Sequence, residues 1–494
     1  MDNFFQLGGH SLLATKLVTA INRKFEVEMP LKTVFIAPTL QALATSVDRL
    51  DKEITIPVIQ KVERDQKLFC SYTQNNMWMG TQIGGNGAQY NISSALKLKG
   101  ELNIESLKYA LDTILERHES LRTCFEMDSS GEAVQVIHDS IEVPLNYQDV
   151  SSLSGTQQQL AISTAAEEES SIAFDLQHDL MMRVRLYKLA AKSHVLFVTL
   201  HHIAADGWSM ALLVKEFCAL YEASLAGVEN PLPALPVQYA DYAHWQLQWL
   251  QGDVLNTQLD YWKRQLDDLP TLHSIPLDYP RPAQQSFAGN SVNTIIRNDV
   301  LDRLKALCQS FDASLFMGLQ AAFAVLLSRY SHETDIVMGT PIANREQVEV
   351  AELIGCFINT LVLRSDLSGE PNFKTLLAQS RDMLLNAYGH QQVPLEKLIE
   401  ELQPQRSQSH SPLFQVMLTL QNNETAEINL TGLELEPVEQ ASIDAKYDFS
   451  LLVSESELGL ELSWIYSTAL FSEETMIRMA AHFEHLIQQL VNSP

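Results

Sequence analysis

The sequence predicts an α/β (α+β) protein built as two similar-sized halves of mixed strands and helices, with a cleft between them and a short helical unit in front. Three observations carry this. The 494 residues exceed what one ordinary core organises, so two or three domains are expected. Short apolar runs of strand length alternate with longer stretches whose apolar residues recur every three to four positions. A proline-rich segment, residues 231–236, lies where the chain would cross from one half to the other.

Taken in chain order, a helix is expected over residues 11–25, with Leu13, Leu17, Ile21 and Phe25 on one face. Pro30 and Pro38 punctuate the next stretch, and Thr39 is placed to cap a second helix over 40–50. Residues 1–50 hold few large side chains, make a marginal core, and read as cut off at the front. Charge and Pro57 mark 51–67 as a linker. The first half, 68–236, holds a helix over 104–118 and strands over 132–137, 182–188 and 194–201. The second half, 237–494, holds helices over 298–311 and 315–330. Its strands are expected over 335–340, 359–364, 414–421 and 458–466, with a closing helix over 473–491.

Composition excludes several classes. A hydrophobic share of 46% with 19% charged residues is that of a soluble globular protein, and a net charge of −27 argues against nucleic acid and anionic membrane as partners. Cys70, Cys124, Cys218, Cys308 and Cys356 are far apart and lack CxxC spacing. Neither a disulfide framework nor a metal cluster is expected, and a reducing cytoplasm fits. No stretch reaches the roughly 20 apolar residues that cross a bilayer. The most apolar run, 315–327, is interrupted by Gln320 and bounded by Arg329. The N-terminus lacks the basic start and apolar core of a secretory signal.

Two motifs carry the chemistry. HHIAADG, from His201 to Gly207, comes after the apolar run Val195 to Leu200, so the histidines sit at the end of a buried strand. A rigid strand end holds an imidazole where its neighbours can tune its proton affinity. Ser11 comes after Gly8, Gly9 and His10 and opens the first helix. A serine there ordinarily caps the helix, and the same orphan N–H groups suit an anion.

DNFFQLGGHSLLATKL resembles the attachment motif of a peptidyl carrier (thiolation) domain of nonribosomal peptide synthetases, and HHIAADGWS resembles the active-site motif of their condensation domains. SYTQNNMWM, RHESLRTCF, YADYAHWQ, IGCFINTLVLR, HQQVPLEKL and SPLFQVMLTLQN stand in the family's order, so the resemblance covers nearly the whole chain. Thr73 and Asn76 stand where the family usually has Ala and Arg, and Ser411 where many members have Asn.

The resemblance implies a partial carrier domain over 1–50, then a condensation domain of two chloramphenicol-acetyltransferase-like subdomains in a V, with a tunnel at their junction. It implies that Ser11 receives a 4′-phosphopantetheine arm from a phosphopantetheinyl transferase. The carrier would then be the upstream donor, and an acceptor carrier and an adenylation domain would be further partners. The implied reaction is attack of an aminoacyl amine on a peptidyl thioester, giving an amide and a free thiol. His202 is the main catalytic residue expected, as base or as positioning group, with His201 beside it. Asp206 is expected to pair with Arg345 in a structural salt bridge. Gly207 would permit a tight turn, with its N–H facing the reacting carbonyl. The motif forms look like the subtype that takes an L-configured donor end. Epimerisation of a carrier-bound residue, or a non-catalytic docking platform, are the alternatives.

Overall fold

The computed structural model describes residues 2–5, 7, 9, 11–50, 56–82, 87–139, 141–421, 430–438 and 443–492, without the side chains of residues 11, 12 and 15. The front unit consists of α1 (Ser11–Phe25), α2 (Lys32–Ile36) and α3 (Leu40–Val47). Ala14, Val18, Val34, Phe35 and Leu43 are buried. Asn22 closes the turn after α1: its Oδ1 accepts from the Met29 N–H at 2.8 Å, and its Nδ2 donates to the Met29 carbonyl at 3.3 Å. Thr39 Oγ1 accepts from the Ala42 N–H at 3.3 Å and caps α3, which ends at Val47, short of the expected residue 50.

The first half begins with β1 (Leu68–Phe69), α4 (Tyr72–Gln82), β2 (Asn91–Gly100) and α5 (Ile104–Arg117). It continues with β3 (Thr123–Met127), β4 (Ala133–Ile137), β5 (Leu145–Asp149), α6 (Gly155–Ser171), β6 (Met182–Ala190), β7 (Ser193–His201) and α7 (Gly207–Ala226). Asn103 caps α5 by accepting from the Ser106 N–H at 2.9 Å. Leu107, Ala110, Leu111, Ile114 and Leu115 recur at helical spacing and are buried, which seats α5 in the core of this half beside α7. β7 runs antiparallel between β2 and β6, so both of its edges are satisfied. That makes its C-terminal end a stiff platform.

The second half comprises α8 (Tyr239–Trp249), α9 (Gly252–Gln265), β8 (Ala288–Arg297), α10 (Asn298–Ser310), α11 (Leu315–Ser331), β9 (Asp335–Ile342), β10 (Asn359–Asp366), α12 (Phe373–Gly389) and α13 (Leu395–Leu402). It closes with β11 (Val416–Gln421), β12 (Leu433–Pro437), β13 (Ile443–Asp444), β14 (Phe449–Ser456), β15 (Gly459–Ser467) and α14 (Glu473–Asn492). Most of these strands form a sheet in the order β10-β9-β11-β14-β15-β8-β13. The buried helix α11 lies in the core of this half. Its polar interruption, Gln320, is satisfied there: Nε2 donates to Ser365 Oγ at 2.8 Å and Oε1 accepts from Ser380 Oγ at 2.6 Å. Among the described residues no single helix is long and apolar enough to cross a membrane.

One strand changes sides. β12 pairs antiparallel with β2, from Leu433↔Gly100 to Pro437↔Leu96, and completes the first half's sheet in the order β12-β2-β7-β6-β5. An edge position is where a strand proline such as Pro437 is tolerated. The RHESLRTCF segment pins the halves from the opposite direction. His118 Nδ1 accepts from the Ile354 N–H at 3.2 Å, and Ser120 Oγ donates to the Ile354 carbonyl at 2.7 Å.

Candidate active site

β7 ends at His201, its last laddered residue, opposite Asn91 of β2. Residues 202–206 then turn, and α7 starts at Gly207. His202 is the first residue past the ladder, and its own N–H is held by the Tyr90 carbonyl at 2.9 Å. Two cavities are lined by His202. The larger, about 390 Å³, reaches into the second half, with Gly207, Trp208, Phe316, Ile342 and Leu420 among its walls. The smaller, about 270 Å³, is more polar, with Asn91, Ser94, Glu169, Asp444 and Lys446 among its walls. Among the described residues His202 is the one that both linings share. Its Nδ1 is buried without a hydrogen-bond partner among the described residues. Burial, then the Lys446 ammonium and His201, hold the imidazole well below its ordinary proton affinity.

His201 lines neither cavity. It is buried between the rings of Tyr90 and Phe174, with centroids 5.8 and 5.6 Å away, and its Nδ1 accepts from the Ile203 N–H at 3.1 Å. Burial, with Lys446 and Arg183 adding to it, pushes its pKa down to about 3. It is a neutral packing residue that shapes the turn.

Asp206 and Arg345 are both buried, with Arg345 Nη2 3.1 Å from Asp206 Oδ1. Asp206 also caps α7. Its Oδ1 accepts from the Ser209 N–H at 2.8 Å and from Ser209 Oγ at 2.7 Å, and its Oδ2 accepts from the Phe357 N–H at 3.0 Å. Arg345 Nη1 donates to the carbonyls of Val350 at 2.8 Å and Leu353 at 2.7 Å, and the guanidinium lies 4.2 Å over the Phe357 ring. The pair therefore ties the histidine loop of the first half to the 350–357 segment of the second.

Gly207 departs from its expected role. Its φ is outside the left-handed region, and an added Cβ would meet nothing within 4 Å, so the turn does not demand glycine. It is exposed while most of the loop is buried, and it lines the larger cavity as the first residue of α7. Helix geometry leaves such a first-turn N–H without an intrahelical partner.

Several neighbours carried no readable sequence signal. Lys446 is exposed to the cavity yet surrounded by protein, which lowers its proton affinity. Glu346 lines the larger cavity, where burial raises its pKa against hydrogen bonds from Gln392 and Gln391. Cys356 comes after Gly355, whose N–H donates to Ser209 Oγ at 3.1 Å. Burial pushes the Cys356 thiol well above its ordinary range, so it offers no thiolate. Among the described residues no three His, Cys, Asp or Glu side chains gather as a metal site requires.

The chain is similar to known proteins over nearly its whole length. The family model described as "Condensation domain" matches residues 64–494. The chain belongs to the condensation-domain family of nonribosomal peptide synthetases. Residues 2–47 match the model described as "Phosphopantetheine attachment site". The condensation domain and the residues before it are 41% identical to a stretch of a linear gramicidin synthase from Brevibacillus parabrevis, over all of this chain and 6% of that protein. They are 38% identical to a stretch of tyrocidine synthase 3 from the same organism, over 99% of this chain and 7% of that protein. The chain thus spans a small fraction of the curated relatives it matches. Among solved structures, the fold is similar to the X-domain in its complex with OxyB from teicoplanin biosynthesis, at 28% identity and a TM-score of 0.80. That match covers 89% of this chain and 97% of the other. It is also similar to part of a four-domain nonribosomal peptide synthetase bound to AMP and glycine, at 23% identity and a TM-score of 0.77, covering 87% of this chain and 33% of that one.

The attachment-site match indicates a covalent 4′-phosphopantetheine within residues 2–47, where Ser11 is the serine expected to carry it. The Ser11 side chain lies outside the described atoms, as do Gly8 and His10, but its backbone fits the group. Ser11 opens a helix of 15 residues whose first turn carries no acidic side chain, so the unpaired N–H groups and the dipole meet a phosphate without opposing charge.

Proposed function

We propose that this condensation domain forms peptide bonds, joining an aminoacyl amine from one cavity to a peptidyl thioester presented from the other. The observation that carries the reading is His202, which lines two cavities whose other walls are different residues. The arm on Ser11, when bound, supplies the donor as a thioester. Contacts of the carrier residues favour the larger cavity as the donor side. Lys16 of α1 lies 4.5 Å over the ring of Trp208, which lines that cavity, and Arg23 pairs with Glu349 at 3.2 Å just beyond Arg345. The smaller cavity is then the acceptor side, and a further carrier with its adenylation domain would bring the amine there.

In the reaction the amine nitrogen attacks the thioester carbonyl. The C–N bond forms, the C–S bond breaks, and the proton lost by nitrogen ends on the departing sulfur. The depressed proton affinity of His202 keeps a ring nitrogen free to accept a hydrogen bond from the amine. It orients the nitrogen lone pair, a role that suits it better than carrying a proton away. The Gly207 N–H, in the first turn of a helix whose start lines the larger cavity, would stabilise negative charge growing on the carbonyl oxygen. Holding both substrates at one point is worth up to about 7–11 kcal/mol of barrier. No enzyme nucleophile is needed, since a thioester is already activated.

The test is His202→Ala in the full chain with both substrates supplied as thioesters. Amide formation should fall by about a hundredfold, the cost of losing the amine's orientation, while the protein melts as the parent does. Undiminished turnover would instead favour a recruitment platform, a second reading suggested by the likeness to an X-domain solved with OxyB. Exchange of the donor's α-proton without amide product would identify an epimerase. Loading of Ser11 is checked by intact mass after incubation with coenzyme A and a phosphopantetheinyl transferase.

A further inference from the structure

The larger cavity continues away from His202 between two strands of the second half. β9 is laddered to β10 along its whole length, from Asp335↔Asp366 to Ile342↔Asn359. β11 is laddered to β14 from Val416↔Phe449 to Gln421↔Ser454. Between them, β9 and β11 pair at Gly339↔Met417 alone. Both strands run on past that point without pairing. Residues 340–343 then form one wall of the cavity and residues 419–421 another.

The sequence sets this fork. A Cβ at Gly339 would run into the Phe414 ring, so glycine allows that ring to sit at the vertex. Two residues on, Pro341 lies within β9, opposite Thr360 of β10. Proline is tolerated in a sheet where one side of the strand has no ladder to maintain. A proline on an interior strand of a seven-stranded sheet thus marks a local edge. The edges that face the fork carry main-chain groups without ladder partners among the described residues, and unpaired strand edges recruit extended chains.

We propose that the fork is a subsite for the backbone of a peptidyl donor, which enters extended and adds a short strand between β9 and β11. The inference rests on the peptide-bond reading for its occupant. The fork belongs to the same cavity as His202 and Trp208, and Lys16 of the carrier residues lies over Trp208. At about 3.3 Å per residue, the free edge at 340–343 runs for roughly 10–13 Å, enough for two or three residues behind the reacting carbonyl. Phe316, Ile358 and Leu420 add an apolar lining. Recognition would depend on the donor's main chain and extended shape.

The experiment uses the full chain and unreactive donor mimics in which an amide replaces the thioester: Leu-, Ala-Leu- and Ala-Ala-Leu-aminopantetheine. A fourth mimic is Ala-Ala-Leu with an ester in place of its Ala-Leu amide, which deletes one N–H without adding bulk. Calorimetry should find the tripeptide mimic at least tenfold tighter than the single-residue one, and the ester weaker than its parent by about threefold to tenfold. Equal affinity of ester and parent, or of one and three residues, overturns the subsite. The matching thioesters, with alanyl-pantetheine as acceptor, give the second readout. Amide product at equal rates from every donor leaves the peptide-bond reading standing and removes the fork from it. The predicted order of affinities with product from no donor keeps the fork and removes the reading.

Discussion

Breaking the buried Asp206–Arg345 pair should cost stability, and the structure sets how much. Removing one partner of a buried ion pair typically costs about 3–5 kcal/mol, because the other charge is left uncompensated. The two partners are not equivalent. With Arg345→Met, Asp206 keeps three donors, the Ser209 N–H and hydroxyl and the Phe357 N–H. With Asp206→Asn, Arg345 keeps three carbonyls, the Ser209 hydroxyl oxygen and the Phe357 ring, none of which carries negative charge. Asp206→Asn should therefore be the more damaging, near 3 kcal/mol or above, and Arg345→Met nearer 2 kcal/mol. The double variant should be less destabilised than the sum by at least about 1.5 kcal/mol.

Scanning calorimetry reads this directly. Unfolding entropy is about 2.1 cal/mol/K per residue, or about 0.9 kcal/mol/K over the roughly 430 residues of the condensation domain. A loss of 3 kcal/mol then lowers Tm by about 3 °C if the halves melt as one unit, and by about 7 °C if each melts alone. The size of the shift thus also reports whether the clamp couples the halves. The reasoning is refuted if the single effects add within about 0.5 kcal/mol. It is refuted as well if Arg345→Met melts like the parent yet makes no amide, which would move the arginine from scaffold to chemistry.

Neighbouring geometry sets the other outcomes. Gly207→Ala should fold at least as stably as the parent, since its Cβ meets open space and its φ is ordinary, yet lose amide formation as the methyl crowds the cavity; melting and turnover measured together would show the split. His201 is held neutral down to about pH 3 when folded but binds a proton near pH 6.5 when unfolded. The unfolded state is then the better proton binder in that interval. Stability should fall as pH drops below 6.5, by about 1.4 kcal/mol per unit from this residue, with His202 acting in the same direction. Urea unfolding at about pH 7.5, 6.0 and 5.0 should show that slope, and His201→Phe should flatten it by about one proton. Lys16→Glu with Arg23→Glu should slow condensation of a donor carried on Ser11 by about twofold to fivefold, and more at low salt. The same donor supplied as free pantetheine thioester should react as before.

Much of this was legible in the sequence where one physical signal dominated. β7 is apolar because it lies inside its sheet, and α11 is apolar nearly all round because it lies inside the second half, so each announces itself. β2 does not. Asn91, Ser93 and Ser94 are among the residues lining the polar cavity, and the alternation a half-buried strand would show is erased by the site it serves. β8 and β14 are likewise hidden: β8 is half exposed, and both owe their state to partners distant in sequence. The transfer of β12 to the first half's sheet had no local signal, since an edge strand reads the same whichever sheet it joins. At the site, the motif names His202, Asp206 and Arg345, but Lys446, Glu346 and the fork at Gly339 become neighbours only through tertiary contacts.

The clamp and the chemistry depend on each other through geometry. The Asp206 carboxylate accepts from the α7 first turn, from Phe357 of the second half and from Arg345, so one side chain fixes the helix start that carries the Gly207 N–H relative to the wall across the cavity. His202 lies four residues before it, on the same turn, with its N–H held by Tyr90 of the first half. A displacement of one half against the other would therefore move the amine's hydrogen-bond acceptor and the carbonyl's N–H donor relative to the donor wall at β9 and β11. Misplacement by about 1 Å can cost a hundredfold in rate. A charged pair is a poor route to stability compared with apolar packing of the same volume. Its use here is accounted for by direction: a carboxylate with four donors has one well-defined seat, and the two halves must share it.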